Sequence, residues 1–210
     1  MTDRASRRST LAMVVLAHLE EAPMHVYRMH ELIRQRGKEN VVNVAQRNSI
    51  YQTIERLVRA GLVEVHATSK DEGRPERVVY RNTEEGAQAL RTWLAEMLAT
   101  PAREFPEFPA ALAFLALLPP RKVLEQMETR RASIARDLDA LEAEQSATLA
   151  MGLPRLFLLE DEYRIAMARA ELAWLEHVIA DLKRGELTWS KAWIKKIAAE
   201  AERFAPPSKK

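Results

Sequence analysis

Hydrophobic residues recur at helical intervals in the first segments of the chain. A nearly continuous apolar run over residues 11–19, preceded by Ser9 and followed by Pro23, predicts a first helix that is buried on most sides. The next predicted helix runs from about residue 25 to Arg36, where Gly37 stops it. Its inner face is assigned to Tyr27, Leu32 and Ile33.

A third helix is predicted to begin between Val44 and Arg47 and to end at Ala60, just before Gly61. Its apolar residues recur at i, i+4, i+7 and i+8 and predict one buried stripe, made of Ile50, Ile54, Leu57 and Val58. The opposite face is polar and carries three arginines, and it consists of Arg47, Asn48, Tyr51, Gln52, Glu55, Arg56 and Arg59. Such a helix can be seated on a core while its other face stays available for contact.

The period then changes from helical to alternating. Residues 62–66 and 77–81 have the pattern of β-strands, and the polar segment 67–76 between them contains glycine and proline as turn residues. We therefore predict a β-hairpin whose long tip carries Lys70 and Arg74.

Beyond the hairpin the pattern is helical again. Thr83 is expected to cap a helix that ends the first domain. The prolines of residues 100–109 predict a connector rather than a helix interior, and a short apolar helix is predicted over residues 110–118. Two long helices follow, joined by a turn at residues 151–154.

Each long helix has a seam of residues spaced by alternate threes and fours, as in a coiled coil. The first seam is Leu124, Met127, Arg131, Ile134, Leu138, Leu141 and Gln145, and the second is Ile165, Ala168, Leu172, Leu175, Ile179 and Leu182. The seams favour a dimer formed mainly by residues 119–184, although packing within one chain satisfies the same pattern.

A last amphipathic segment spans residues 186–204. Docking of its tryptophans onto the body of the protein is the favoured interpretation. Contact of Lys191, Lys195 and Lys196 with anionic lipid is the alternative.

Three helices, a two-stranded hairpin and a fourth helix, in that order, predict a winged helix-turn-helix. The expected fold is mainly α with a two-stranded β-hairpin wing, followed by long antiparallel helices. We expect a winged helix-turn-helix DNA-binding domain at residues 1–99, a connector and short helix at 100–118, and a helical dimerisation domain at 119–210.

Charge and composition narrow the function classes. The net charge is only +2, but residues 1–83 carry the basic surplus, with 14 Lys/Arg against 10 Asp/Glu. The absence of cysteine excludes disulfides, thiolate metal sites and a cysteine nucleophile. Neither a signal peptide nor an apolar run of about 20 residues is recognisable. We therefore expect a cytoplasmic protein without a membrane partner.

Three segments in the first half of the chain resemble the PadR family of bacterial regulators. They are Met24–Met29, Ile50–Val63 and Gly73–Gly86, and Ala170–Glu176 resembles the end of the family's helical dimerisation domain. The sequence departs from the family where Val26 replaces a usual glycine and Gln52 a usual proline.

The resemblance implies a homodimer on double-stranded DNA, in which each protomer meets one half of a palindrome. It further implies that Tyr51 contacts a phosphate. Many members of the family repress genes, and some respond to small aromatic or hydrophobic compounds. The expected function is thus that of a sequence-specific transcriptional regulator acting as a repressor.

A polar helix face suits the major groove, where arginine pairs with guanine and asparagine or glutamine with adenine. Contacts to phosphate position the protein without reading sequence. The predicted DNA-contacting residues are Arg47, Asn48, Tyr51, Gln52, Arg56 and Arg59 on the third helix, and Lys70, Arg74 and Arg77 on the hairpin.

Aromatic side chains cluster in sequence around the domain junction and suggest an effector pocket. Its predicted lining is Trp93, Met97, Phe105, Phe108 and Phe114, for which plain core packing is the competing interpretation.

Other function classes are less well supported by the sequence. The five histidines lack metal-ligand spacing and no glycine-rich phosphate loop occurs, so no enzyme, metal or cofactor is expected. The alternative function is a winged-helix protein-interaction module without DNA binding. A MarR-like regulator is a further alternative, but those proteins dimerise with helices from both chain ends.

Overall fold

The computed structural model of the chain describes residues 8–38, 42, 47–69 and 77–204. It divides into two compact units, residues 1–104 and 105–210. The predicted boundaries at residues 99 and 118 stay predictions. The first unit contains α1 (Thr10–Glu21), β1 (Met24–His25), α2 (Val26–Gln35), α3 (Arg47–Arg59), β2 (Val63–Ser69), β3 (Arg77–Asn82) and α4 (Glu84–Ala99).

The helix α1 forms the centre of the first unit, as its apolar run predicts. The Ser9 hydroxyl caps the helix by accepting a hydrogen bond from the backbone N–H of Ala12 at 3.1 Å. Val15 and Leu16 are completely buried, and α1 contacts α3, α4 and β3. The predicted fold class, a mainly α protein with a β-hairpin wing, is confirmed.

The wing sheet has three strands in the order β1-β3-β2, one more than predicted. The additional strand, β1, pairs Met24 with Tyr80 and His25 with Val79. A strand of two residues is too short to show alternation, so the sequence pattern gave no signal for it. It nevertheless fixes the start of α2 to the wing, because His25 is also the N-cap of α2 and its Nδ1 accepts a hydrogen bond from the backbone N–H of Arg28 at 2.9 Å.

The predicted inner face of α2 was wrong at one position. Val26, Met29 and Ile33 are buried, and Leu32 packs partly against the same core, but Tyr27 is 62% exposed. Successive residues of a helix are about 100° apart, and Tyr27 is thereby turned away from the face that Val26 begins.

A close backbone approach joins the start of α4 to the turn before β2. The Thr83 hydroxyl donates to the carbonyl oxygen of Gly61 at 2.7 Å and accepts from the backbone N–H of Gly86 at 3.0 Å. A Cβ atom at Gly86 would lie only 1.9 Å from the carbonyl oxygen of Leu62. Glycine is therefore required here by space.

A bidentate ion pair ties α1 to the end of α2. Both guanidinium Nη atoms of Arg36 donate to the Glu21 carboxylate, one of them at 2.8 Å. The hydrogen bond from Arg36 is the main reason that the pKa of Glu21 lies below its ordinary value.

We expect this pair to stabilise the fold by about 0.5 kcal/mol at neutral pH, because both side chains are about half exposed. The contribution is complete above the unfolded-state pKa of the carboxyl group and is lost as the pH falls through the lowered folded-state pKa. A double-mutant cycle with Glu21→Gln and Arg36→Gln, measured by urea denaturation at about pH 7 and about pH 3, tests this. An equal coupling energy at both pH values would contradict it.

The second unit is a long helical hairpin with short elements at its open end. It contains α5 (Glu107–Ala113), α6 (Pro120–Ala150), α7 (Leu159–Arg184) and α8 (Lys191–Phe204), with 3-10 turns at Leu115–Leu117 and Arg155–Leu158. The helix predicted over residues 110–118 instead begins at Glu107 and therefore includes Pro109, which was assigned to the connector. Pro109 lies in the first turn, where its missing N–H has no intrahelical acceptor to lose.

The two predicted seams pack against each other within the one chain. Leu138, Leu141 and Ile165 are buried together, and a second cluster joins Met127 to Leu175 and Ile179. Arg131 of the predicted seam is exposed, and Val123 is more deeply buried than Leu124. Intramolecular packing thus accounts for the seams, and the predicted dimer stays a prediction.

Of the two tryptophans in the final segment, Trp189 packs onto the body of the second unit and Trp193 does not. The Trp189 indole Nε1 donates to the carbonyl oxygen of Leu118 at 2.9 Å, and its ring packs on the cluster around Leu175. Trp193, in α8, is half exposed. In the parts of the chain that the structure describes, no helix is long and apolar enough to cross a membrane.

Candidate nucleic-acid interface

The helix α3 is divided into a buried and an exposed side. Ile50, Ile54 and Leu57 are almost completely buried against α1, α2 and the wing. The described side chains of the opposite side form a surface that we name the α3 contact face, made of Tyr51, Gln52, Glu55 and Arg59. A core thus seats the helix and leaves a polar surface available to a ligand.

The predicted buried stripe of α3 was wrong at Val58. Its side chain is 37% exposed, and Thr53 is buried instead, with its hydroxyl donating to the carbonyl oxygen of Ser49 at 2.7 Å. Val58 follows Leu57 by about 100° around the helix and falls outside the packed arc. Thr53 was not predicted to be buried because threonine is a polar residue. Its hydroxyl can be buried because it donates its hydrogen bond to a carbonyl group of the preceding turn.

The predicted contacts at the start of α3 stay predictions. Arg47 and Asn48 lie in its first turn, but their side chains are not among the described parts of the chain. Arg56 is half-buried, and its Nη2 donates to the Ser9 hydroxyl at 3.3 Å. Arg56 therefore also links α3 to the cap of α1, a role that its sequence position did not indicate.

The wing stands beside this face as an antiparallel ribbon. β2 and β3 pair from Val63 with Asn82 to Ser69 with Arg77, and the register shifts at His66. Glu64 and Arg81 form an ion pair across the two strands at 2.7 Å. The predicted contacts Lys70 and Arg74 lie outside the described residues, and the Arg77 side chain is likewise not described although its backbone begins β3.

Tyr80 of the wing is within electrostatic influence of the α3 contact face, which was not predicted. Burial raises the pKa of its phenol above the ordinary value, and the negative charge of the Glu55 carboxylate raises it further. The Tyr80 side chain also packs partly against the core that contains Ile50, Ile54 and Leu57. Tyr80 stays protonated and can donate a hydrogen bond throughout the physiological pH range.

Tyr51 also borders a small hollow between α2 and α3. The hollow has a volume of about 50 Å³ and is lined by Val26, Tyr27, His30, Ile50 and Tyr51. Two tyrosines that were predicted separately, one as core and one as a phosphate contact, thus line the same hollow, with Tyr27 in the first turn of α2 and Tyr51 in the second turn of α3. Backbone N–H groups at helix N-termini favour anions such as phosphate.

The residues of the predicted effector pocket are divided between the two units. Trp93 is buried in the core of the first unit, and Met97 is half-buried on the same helix. In the second unit, Phe105 and Phe114 are exposed, whereas Phe108 packs beneath the Arg130 guanidinium, 3.6 Å from its ring centroid. Trp93 and Phe108 therefore have packing roles, and the effector pocket stays a prediction.

Comparison with known proteins connects this arrangement to a family. Residues 15–92 match the model of the transcriptional regulator PadR-like family. We call these matched residues the PadR-like domain. The matched segment of this PadR-like domain begins in α1 and ends in α4, so it contains the helix-turn-helix, the wing and the α3 contact face. No curated protein matches the chain.

Solved structures show the same fold over most of the chain. PadR of Bacillus subtilis in complex with operator DNA is 18% identical with a TM-score of 0.68, over 84% of this chain and 99% of that one. The same protein with p-coumaric acid is 17% identical with a TM-score of 0.67, over 83% and 99%. A PadR-like regulator of Bacillus cereus is 15% identical with a TM-score of 0.57, over 86% and 99%.

The family match agrees with the expectation of a regulator rather than an enzyme, because the matched family consists of transcriptional regulators. It confirms the predicted resemblance over residues that include both departures, Val26 and Gln52. Over the described ranges, no group of His, Asp and Glu side chains is arranged to hold a metal ion.

Proposed function

We propose that the chain is a homodimeric repressor that binds a palindromic operator, with α3 of each protomer in the major groove of one half-site. The observation that carries the proposal is the division of α3, whose buried Ile50, Ile54 and Leu57 hold Tyr51 and Gln52 outward. Half-sites about 34–36 Å apart require two such helices in one particle.

The exposed side chains of α3 suit separate tasks in this proposal. The Gln52 amide has the donor and acceptor needed for two hydrogen bonds to adenine. Tyr51, which shares a hollow with Tyr27 of the first turn of α2, suits a phosphate oxygen. Arg59 in the last turn suits a second phosphate, where it fixes the position of the helix without reading a base.

The homodimer is supported by the surface of the second unit. Its hairpin leaves many large apolar side chains exposed, and exposed apolar patches beyond a few hundred Å² mark interaction sites. The exposed residues around the hairpin turn and the start of α7 include Leu149, Met151, Leu153, Leu156, Phe157, Leu159, Tyr163 and Met167. A second copy of the chain would remove this surface from water.

An aromatic effector is part of the proposal. The B. subtilis PadR structure with p-coumaric acid is similar to this chain over 83% of its length. This similarity supports a small aromatic acid as the ligand class. A thermal-shift assay with p-coumaric acid tests the idea, since a ligand at about 100 times its Kd stabilises the folded state by about 2.7 kcal/mol.

Fluorescence anisotropy with DNA from upstream of the protein's own gene, against scrambled DNA of equal composition, tests the DNA-binding function. We expect tighter binding to the upstream DNA and a loss of about 1,000-fold or more in affinity between about 50 and 200 mM salt. Equal and weak binding to both DNAs would favour the alternative of a protein-interaction module. The exposed carboxylate of Glu55 on the α3 contact face is the feature that favours this alternative.

A further inference from the structure

Tyr27 is a large aromatic side chain that lies exposed in the first turn of α2. It is 62% exposed, whereas Val26 and Met29 of the same helix are buried. Single exposed aromatic residues are common on protein surfaces, so the neighbours of Tyr27 decide what it can do.

The neighbour of Tyr27 on α3 is Tyr51 of the α3 contact face. Both side chains line the hollow between the two helices, which we name the α2–α3 hollow. Its other walls are Val26 and Ile50, which are buried, and His30, which is half-buried. Tyr51 is 49% exposed, so the two phenol rings form the solvent-facing part of the hollow. Tyr27 therefore extends the α3 contact face onto α2.

The size of the α2–α3 hollow limits what it can accept. Its volume is about 50 Å³. Sites for drug-sized ligands have roughly 300–1,000 Å³, whereas about 10–15 Å³ is enough to admit one water-sized group. The hollow is therefore too small for an aromatic effector or a DNA base, but it has room for the oxygens of one phosphate.

The chemistry of the α2–α3 hollow favours an anionic oxygen. Tyrosine hydroxyls can donate hydrogen bonds, and such bonds are stronger when the acceptor is charged. Among the described residues that line the hollow, none is a carboxylate. Glu55 of the α3 contact face is not one of the lining residues, and Glu31 of α2 is paired with Arg28 at 2.8 Å. A backbone phosphate thus fits two hydroxyl donors above an apolar floor.

The start of α2 is fixed in place before any ligand binds. The His25 ring is the N-cap of the helix, and the His25 backbone pairs with Val79 of the wing. The Tyr27 ring lies beside the His25 ring, with 6.3 Å between their centroids. The N-terminal end of the 10-residue α2 adds a partial positive charge near Tyr27. This order reduces the entropy that a contact of Tyr27 with DNA has to overcome.

We propose that Tyr27 and Tyr51 donate hydrogen bonds to the same phosphate of the operator backbone, at the α2–α3 hollow. The proposal rests on the DNA binding of the proposed function. It adds a contact from α2, a helix for which no DNA contact was predicted. A phosphate carries no sequence information, so this contact positions α3 in the groove and leaves the reading of bases to residues such as Gln52.

Phenylalanine substitutions test the contact because they remove the hydroxyl group and keep the ring. Fluorescence anisotropy at one fixed salt concentration compares the unmodified chain with Tyr27→Phe, Tyr51→Phe and the double variant. We expect each single variant to lose roughly 3- to 30-fold in affinity, to the same extent on upstream and on scrambled DNA. The matched control is Tyr163→Phe, at a 67% exposed tyrosine of the second unit, and it is expected to bind as the unmodified chain does.

Neutral methylphosphonates locate the phosphate that the two tyrosines share. Upstream DNAs are prepared in which one backbone phosphate at a time, together with its symmetry-related position, is replaced by a methylphosphonate. We expect one position at which this replacement weakens binding of the unmodified chain but not of the double variant. Both single variants should lose part of their sensitivity at that position, and the double variant should lose less affinity than the product of the two single losses.

The outcomes separate this contact from DNA binding itself. If Tyr27→Phe binds both DNAs as tightly as the unmodified chain, or if the two single variants lose sensitivity at different phosphates, the shared phosphate is overturned and the DNA-binding function stands. If inorganic phosphate at constant ionic strength weakens DNA binding but no methylphosphonate position does, the hollow binds a free anion and the proposal is again overturned. Equal and weak binding of the unmodified chain to both DNAs overturns the proposed function and this contact together.

Discussion

The Gly86→Ala variant is expected to lose about 3 kcal/mol or more of its free energy of unfolding. The added methyl group would lie 1.9 Å from the carbonyl oxygen of Leu62, and the nearest atoms are backbone rather than a flexible side chain. Relief requires α4 to move away from the turn before β2. That movement would break the Thr83 hydrogen bonds to Gly61 and Gly86.

Whether the free energy of unfolding falls or rises in Gly86→Ala shows whether the steric contact with Leu62 or the higher helix propensity of alanine dominates. Within a helix, glycine to alanine ordinarily stabilises by about 0.5–1 kcal/mol. Urea denaturation of Gly86→Ala and of the control Glu85→Ala, an exposed position in the same turn, provides the comparison. A Gly86→Ala variant that is as stable as the unmodified chain would contradict the close approach of α4 to Leu62.

The Gln52→Ala variant is expected to weaken binding to the operator by about 1–3 kcal/mol, or roughly 5- to 150-fold, and to leave binding to scrambled DNA unchanged. The exposed amide has no role in the core, so the fold should be unaffected. Circular dichroism checks the fold, and anisotropy with operator and with scrambled DNA gives the two affinities.

The matched control for Gln52→Ala lies on the same helix. Arg59→Ala removes a charge from the last turn of α3 and should weaken binding to both DNAs, lowering the salt slope by about one. If Gln52→Ala lowers the affinity for both DNAs equally, or lowers neither, the α3 contact face does not read bases through this residue.

The helices of the PadR-like domain were predictable because their burial follows the 3.6-residue period. Ser9 and Thr83 cap α1 and α4 as the sequence indicates, and Ile50, Ile54 and Leu57 seat α3 as predicted. Errors arose at the margins of the packed faces, where one residue is about 100° of rotation. Tyr27 and Val58 are the two examples, and both are exposed.

Contacts between elements that are distant in sequence were not predictable. The pairing of Met24 with Tyr80 forms across 56 residues, and two residues are too few to show a strand period. The packing of Tyr80 on the core that holds α3 likewise depends on how the wing folds back onto the first unit. Family resemblance identified the motif around Tyr51 but could not show which side chains of the wing lie beside it.

The seams of the long helices show what the spacing of apolar residues alone cannot predict. A three-and-four spacing predicts that apolar side chains meet another helix, but it does not say whether that helix belongs to the same chain. Leu175 and Ile179 meet Met127 of their own chain. The exposed apolar side chains of the hairpin, such as Tyr163 and Met167, lie beside the seam and were not part of the predicted pattern.

Because β1 has only two residues, one part of the wing is three-stranded and the rest is two-stranded. Beside Val79 and Tyr80 the ribbon is held on both edges, whereas from Thr68 and Val78 outward it has two strands only, just beyond the irregularity at His66. Bending a two-stranded ribbon costs less than bending a three-stranded sheet, and bulges localise such bends. The wing is therefore expected to bend most easily near His66, while β1 holds Val79 and Tyr80 in place.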